Sequence, residues 1–356
     1  MRLLLISGVD ITSTARPKPH ENPTPDYFIL RDTFAPDIID IRTIAQSNNP
    51  FSKLIQNRFG HQWAIAFTAL RQLQPYDAVI ATGEDVGLRL ALLLKAARCR
   101  TPLIMTCHNI ATRRPTFFLK SLRVGSAIAK FQCLSNSQAD ILTAQAPMAP
   151  DQIQMLYWHV DHDFFKPMPD VPQRSQICSA GMASRDYATL IEAAKTINVD
   201  LKIAADSPWF KQKLNISDHS LPPRVEARSY GNYSALRQLY AESQIVVVPL
   251  LDVPFSAGYT VILEAMAMGK PVIVTRIKQH DDFIVDGWNG LHVPPGNPVA
   301  LRSKLNFLLQ NSSEAARLGA NARSSVQAKY TLRHFAERMS SAVADSIHHR
   351  QLSNRS

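Results

Sequence analysis

Residues 250–275 read LLDVPFSAGYTVILEAMAMGKPVIVT, and the fold can be reasoned outward from them. A continuous apolar run, IVVVPL at 245–250, leads into a loop containing Pro254 and Gly258. The following stretch has helical patterning and stops at Gly269 and Pro271, as helix ends do. That helix is apolar nearly all round, through Val261, Ile262, Leu263, Ala265, Met266, Ala267 and Met268, so it should be buried. Glu264 nevertheless stands in its middle. A buried carboxylate is costly unless something hydrogen-bonds it. The hydroxyls of a bound ligand would serve, and the loop and first-turn amides suit an anion. An internally paired or solvent-facing glutamate is the plainer alternative.

The same alternation of short apolar runs and longer helical patterns recurs on either side. Candidate strands lie at 2–7, 77–82, 102–107, 130–135, 176–181, 201–205, 245–250 and 271–275. Several are continuously apolar, as in parallel sheets covered on both faces. Two such β-α series are separated by the proline-rich stretch WHVDHDFFKPMPDVPQRS, 158–175. The expectation is an α/β protein of two doubly wound Rossmann-like domains facing across a cleft. The domains would be 1–165 and 166–330, with a helix and tail at 331–356 packing back on the first. Segment 10–37, with five prolines, reads as a loop. In such sheets ligands bind at the carboxyl ends of the strands, near a switch in strand order.

Charge and cysteine usage narrow the classes. The formal net charge is +10, yet no acidic residue occurs between Asp85 and Asp140. That basic stretch, 89–130, includes RRPTFFLKSLR, whose Phe117, Phe118 and Leu119 suit peripheral contact with an anionic membrane. A solvated basic face is the equal alternative. Nucleic acid is not expected, since no recognition-helix, zinc-finger or aromatic RNA-binding signature occurs. Cys99, Cys107, Cys133 and Cys178 lack paired spacing and read as reduced thiols. The opening MRLLLISGVDI reads as a first strand rather than a leader, and no apolar run approaches a membrane span. The expected location is cytoplasmic, at the inner face of a membrane if the basic stretch docks.

The run 250–275 closely resembles the donor-site signature of glycosyltransferase family 4, E-G-F-G-x-x-x-x-E-A-M-A-x-G-K-P-V-I. The resemblance implies a GT-B fold and sugar transfer from a nucleotide-sugar donor with retention of configuration. Glu264 matches the glutamate that binds the donor ribose, whereas Ser256 stands where the family has the glutamate that contacts the sugar. Ala257, Gly258, Tyr259 and Thr260 complete the implied donor loop. SAGMASRDYATLIEAA, 179–194, resembles the phosphate-binding turn, with Gly181, with Arg185 at the cationic position, and with Met182 where an arginine is usual. Tyr230 and Gly231 would lie beside the nucleobase, and WHVDHDFFKP resembles the family's interdomain sequence.

In the first half the resemblance is looser. His108 corresponds by context to the family's histidine near the donor sugar, and with Arg185 it is the implied catalytic pair. Gly8, Glu84 and Asp85 are candidate acceptor-side residues, though either acid could cap a helix. No cofactor and no metal are expected. Asp281 and Asp282 are adjacent on an expected helix start, so their side chains diverge, and His159 and His162 need no metal in a hinge. The partners implied are a nucleotide-sugar and a glycan or lipid-linked acceptor. Ser256 and Met182 together leave room for a non-catalytic partner subunit, and a nucleotide-sugar epimerase would share the fold.

Overall fold

The computed structural model describes residues 1–145, 148–205, 221–253, 257–277 and 282–353. The chain divides into two compact units. One comprises Met1–Arg16, Pro25–Tyr157 and the chain from Phe335 onward; the other comprises Pro17–Thr24 and Trp158–His334. The proline-rich stretch therefore groups with the second unit. Pro17–Thr24 is held there by Thr24 N donating to Asp161 Oδ2 at 2.8 Å and by Ser234 Oγ donating to His20 O at 3.1 Å.

In the first unit, β1 (Leu3–Ile6), β2 (Asp37–Ile39), β3 (Ala78–Ala81), β4 (Leu103–Cys107), β5 (Lys130–Cys133) and β6 (Ile153–Met155) form one sheet. All neighbours are parallel, in the order β2-β1-β3-β4-β5-β6. The order reverses between β1 and β3, which is the switch point. Helices α1 (Asp26–Phe34), α2 (Ile41–Gln46), α3 (Pro50–Phe59), α4 (His61–Gln72), α5 (Glu84–Ala96), α6 (Arg113–Lys120) and α7 (Asn136–Gln145) connect the strands. Strands β1 and β3 are buried along their whole length, as their unbroken apolar runs require, and β5 is buried too although it carries Lys130 and Gln132.

In the second unit, β7 (Gln176–Ala180), β8 (Asp200–Ala204), β9 (Val225–Arg228), β10 (Ile245–Val248), β11 (Val272–Thr275) and β12 (Leu291–Val293) are again all parallel. Their order is β12-β11-β10-β7-β8-β9, so the switch lies between β7 and β10. The helices are α8 (Tyr187–Ala194), α9 (Tyr233–Glu242), α10 (Tyr259–Ala267), α11 (Pro298–Gln310) and α12 (Ser312–Lys329); α13 (Leu332–Ser353) follows. Every residue of α10 except Thr260 is buried. Helix α12 approaches its carboxyl end so closely that a Cβ on Gly319 would lie 2.1 Å from Gly269 O.

Two expectations need correction. Segment 10–37 is not all loop, because α1 spans its middle and buries Phe28 and Leu30. Four of its prolines precede the helix and Pro36 follows it, so they bracket the helix instead of breaking it. The stretch after Asp282 holds turns and a bridge from Asp286 to Gly290, not a helix.

Candidate functional site

At the switch point of the second unit the loop after β7 is stitched to the loop after β10. Arg185 bridges to Leu250, Asp186 N donates to Pro249 O at 3.1 Å, and Leu251 N donates to Ser184 O at 3.0 Å. Gly181 begins this loop at φ +90° and Gly258 ends the other at φ +85°, conformations that L side chains adopt only with strain. The Arg185 guanidinium lies between them. It donates from Nε to Ala180 O at 2.9 Å and from Nη1 to Ala183 O at 2.8 Å. A Cβ on Gly181 would stand 2.6 Å from its Nη2, and one on Gly258 would stand 3.6 Å from its Nη1. The missing side chains are thus what makes room for the cation. The Tyr187 hydroxyl closes the turn by donating to Gly181 O.

Glu264, only 3% exposed, faces this cation from α10. Its Oε2 accepts from the Tyr240 hydroxyl of α9 at 2.9 Å. Burial pushes its pKa up to about 8, against the opposing effects of the Tyr240 hydrogen bond and the Arg185 charge. The alternative of internal pairing is therefore realised in part, and Tyr240 is a partner that the sequence pattern did not reveal. Burial also lowers the Arg185 pKa, but from so high a starting value that the guanidinium stays charged. A buried carboxyl and a cation between two glycines form a preorganised site for a ligand carrying both hydroxyls and negative charge.

The amino end of α10 completes this end of the sheet. Gly258, its N-cap, lies in the left-handed region and supplies no side-chain cap to the first turn. Ala257 is buried and Thr260 exposed. Tyr259 packs its ring 4.9 Å from Phe283 and 6.1 Å from Trp158, so what it offers a ligand is its main chain. Ser256 and Asp281 lie outside the described residues. Tyr230 carries the Arg228 guanidinium 4.6 Å over its ring, and Gly231 follows at φ +71°. Among the described residues, its chain neighbours aside, no atom lies within 4 Å of where a Gly231 Cβ would stand.

The first unit has its own cluster at the β1/β3 switch. Glu84 opens α5 and accepts from His108 N at 2.9 Å and Asn109 N at 2.6 Å. Both carboxylate oxygens thus hold the turn after β4. His108 Nε2 bonds Thr82 O at 2.9 Å and so carries the proton there, since a carbonyl only accepts. Gln138 of α7 braces the same turn from Nε2 to His108 O at 3.0 Å, another group the sequence did not announce. Asp85 presses on Gly8, where a Cβ would stand 1.9 Å from Asp85 Oδ2. Asp85 keeps solvent access, but partial desolvation and the Glu84 charge push its pKa up.

The loop after β1 contains a single early glycine, and Asp40 supplies its rigidity. Its carboxylate accepts from Ile11 N at 2.9 Å, Thr12 N at 3.0 Å and Thr43 N at 2.8 Å. Burial alone would raise the Asp40 pKa, but these donors outweigh it and the net shift is downward.

The basic stretch is only partly available. Arg89 lies 5.6 Å over the Trp63 ring, Lys95 Nζ binds Leu122 O at 2.9 Å, and Lys130 is buried. Leu119 is buried and Phe118 packs against the core, so of the three apolar residues expected to insert only Phe117 is exposed. Among the described residues no helix is long and apolar enough to cross a membrane. None of their His, Cys, Asp and Glu side chains gather in a group of three suited to a metal. Asp161 instead caps its own turn, accepting from Phe164 N at 3.0 Å. Cys178 is buried and its pKa is pushed up to about 12, which keeps the thiol unreactive.

With this geometry in view, comparison with known proteins is informative. Residues 173–325 match the family model "Glycosyl transferases group 1". Two uncharacterized glycosyltransferases of Methanocaldococcus jannaschii align with part of the chain. One is 29% identical over 132 residues, 37% of each chain, and the other 31% identical over 108 residues, 30% of this chain and 27% of its own. The chain thus aligns with about a third of the length of these curated relatives. Anabaena HepE, solved in complex with UDP, superposes with TM-score 0.75 at 16% identity over 97% of this chain and 100% of its own. Sucrose-phosphate synthase from Thermosynechococcus elongatus gives TM-score 0.73 at 17% identity over 100% of both chains. These likenesses establish the GT-B fold, two Rossmann-like domains, and the family match with the two relatives supports a glycosyltransferase.

Proposed function

We propose that this chain transfers a sugar from a nucleotide-sugar donor to a glycan or lipid-linked acceptor, with retention of configuration and without a metal or cofactor. The observation that carries this reading is the placement of Arg185 and Glu264 together at the β7/β10 switch. Both fall inside the stretch that matches the glycosyltransferase model.

Breaking the bond between the sugar and the diphosphate leaves negative charge on the departing phosphate. Arg185 and the first-turn amides of α10 would stabilise that charge, the largest catalytic effect to expect in such a site. Donor ribose hydroxyls would supply Glu264 with the hydrogen bonds that favour its ionised form. Gly181, Gly258, Tyr230 and Gly231 would shape the nucleotide site, with Ser256, Ala257, Tyr259 and Thr260 beside the sugar. His108, held in one tautomer by Thr82 O, would meet the donor sugar, and Gly8 and Asp85 the acceptor. The incoming hydroxyl would lose its proton to the leaving phosphate.

A donor panel tests this. Because HepE is described with UDP and with UDP-glucose, uridine donors form its first arm. The expected result is a raised Tm with one nucleoside diphosphate, and release of that nucleotide when acceptor is added. Absence of any shift and any release would reject the reading. Binding without turnover would instead identify a partner subunit, as Met182 in place of the usual cation allows.

The acceptor unit would work at the inner face of a membrane, through contact of the 89–130 stretch with anionic lipid. Its exposed cations include Lys95, Arg98, Arg100, Arg113, Arg114, Lys120 and Arg123, and Phe117 is exposed among them.

A further inference from the structure

Helix α3 packs Ile55 against the core but leaves its other large apolar side chains on the surface. A surface helix normally turns its apolar stripe to the core and its polar side chains to water. In α3 the serine faces inward: Ser52 is 5% exposed and its hydroxyl lies 3.1 Å from Thr68 Oγ1 on α4. Phe51, Leu54 and Phe59 are 43%, 62% and 64% exposed. The helix is nonetheless well defined. Asn49 Oδ1 accepts from Phe51 N at 2.9 Å, Pro50 begins the first turn, and Gly60 ends the helix at φ +92°.

The charge around this apolar face has one sign. No acidic residue occurs between Asp40 and Asp77. Arg42, Lys53, Arg58 and Arg71 are all exposed there, with Arg71 5.8 Å over the Phe51 ring. Helix α4 packs on both α3 and α5, and α5 packs on α6, so the second acid-free run, 86–139, continues the same helical layer. Exposed aromatic and aliphatic side chains set among cations match a surface that is anionic outside and apolar beneath, which is a bilayer carrying anionic lipid. At ten residues α3 cannot span it and would lie in the interface.

We infer that α3 is the apolar anchor that seats the first unit on an anionic membrane, with Phe51, Leu54 and Phe59 entering the headgroup region and Lys53 and Arg58 meeting lipid phosphates. This extends the membrane contact proposed above for α6, and the test separates the two. The full chain is co-sedimented with phosphatidylcholine vesicles and with vesicles that also contain phosphatidylglycerol, at low and high salt. The double variants are Leu54→Glu/Phe59→Glu in α3 and Arg113→Glu/Arg114→Glu in α6. The wild type should bind only the anionic vesicles, less at high salt. The α3 variant should lose roughly tenfold or more in affinity at unchanged Tm, and the α6 variant should lose less. If the α3 variant binds like the wild type while the α6 variant does not, the anchor is overturned and the α6 contact stands alone. Absence of wild-type binding overturns both. A wild-type dimer in light scattering that Leu54→Glu/Phe59→Glu dissolves would mark this face as a subunit interface, and would also overturn the anchor.

Discussion

The Tyr240 hydroxyl donates to Glu264 Oε2 at 2.9 Å, so the carboxyl in the most apolar helix of the second unit is held by a side chain of α9. Arg185 adds a charge within electrostatic reach, yet burial still dominates and the carboxyl stays partly protonated near neutrality.

The first consequence concerns pH. Glu264 binds its proton more tightly in the folded chain, with a pKa of about 8, than in the unfolded chain, where 4.5 is ordinary. Its contribution is fully present below about pH 4.5 and is lost as pH rises through about 8. Glu264→Gln should remove that slope, so the variant should gain stability relative to the wild type as pH rises from 5 to 9. Melting curves across that range check it; parallel curves would mean that Glu264 titrates normally.

Two glycines of the proposed nucleotide site differ in what they protect. Gly181→Ala adds positive-φ strain of about 1–2 kcal/mol and drives a methyl into the Arg185 guanidinium, so nucleotide affinity should fall together with Tm. Gly231→Ala carries similar strain, but no described atom lies within 4 Å of its Cβ, so Tm should fall and any loss of affinity should be smaller than for Gly181→Ala, because the Arg185 cation stays in place. Titration of nucleotide into both variants separates strain from displacement of the cation.

Much of this was legible in the sequence, and the exceptions have physical causes. The eight candidate strands were all recognisable, several of them by continuous apolar runs, because burial on both faces leaves a strong signal. Strands β2, β6, β9 and β12 are DII, IQM, VEAR and LHV, too short or too polar to stand out. Glu264 was conspicuous as a lone acid in an apolar helix. Tyr240 was not, since a tyrosine in an amphipathic helix reads as ordinary core. Glu84 was visible as a strand-end acid, but its bonds reach 24 and 25 residues along the chain, which local spacing cannot express. Serine facing inward in α3 is likewise a matter of packing.

Glu84 offers a kinetic test. Glu84→Gln leaves one amide of the His108–Asn109 turn facing a donor instead of an acceptor, a loss of about 1–3 kcal/mol. The turn that carries His108 should loosen, so kcat should fall roughly tenfold while nucleotide Kd is unchanged. A variant with normal kcat would confine Glu84 to a structural role.

Metal dependence is a separate question, decided by chelation. Among the described residues no group of three His, Cys, Asp or Glu side chains is suited to a metal, and turnover should persist in EDTA. Loss of activity that Mn²⁺ or Mg²⁺ restores would show that a cation takes part.

The central claim is that the donor nucleotide binds at the β7/β10 switch, between Arg185 and Glu264. The direct measurement is nucleotide Kd beside Tm for Arg185→Ala, Glu264→Gln and Glu264→Ala. Loss of a hydrogen bond to a charged group costs about 1.5–3 kcal/mol, so each variant should bind roughly tenfold or more weakly. Glu264→Gln should keep its fold, because it is neutral like the protonated carboxyl and retains an acceptor for Tyr240. Normal affinity in all three folded variants would contradict the placement of the site.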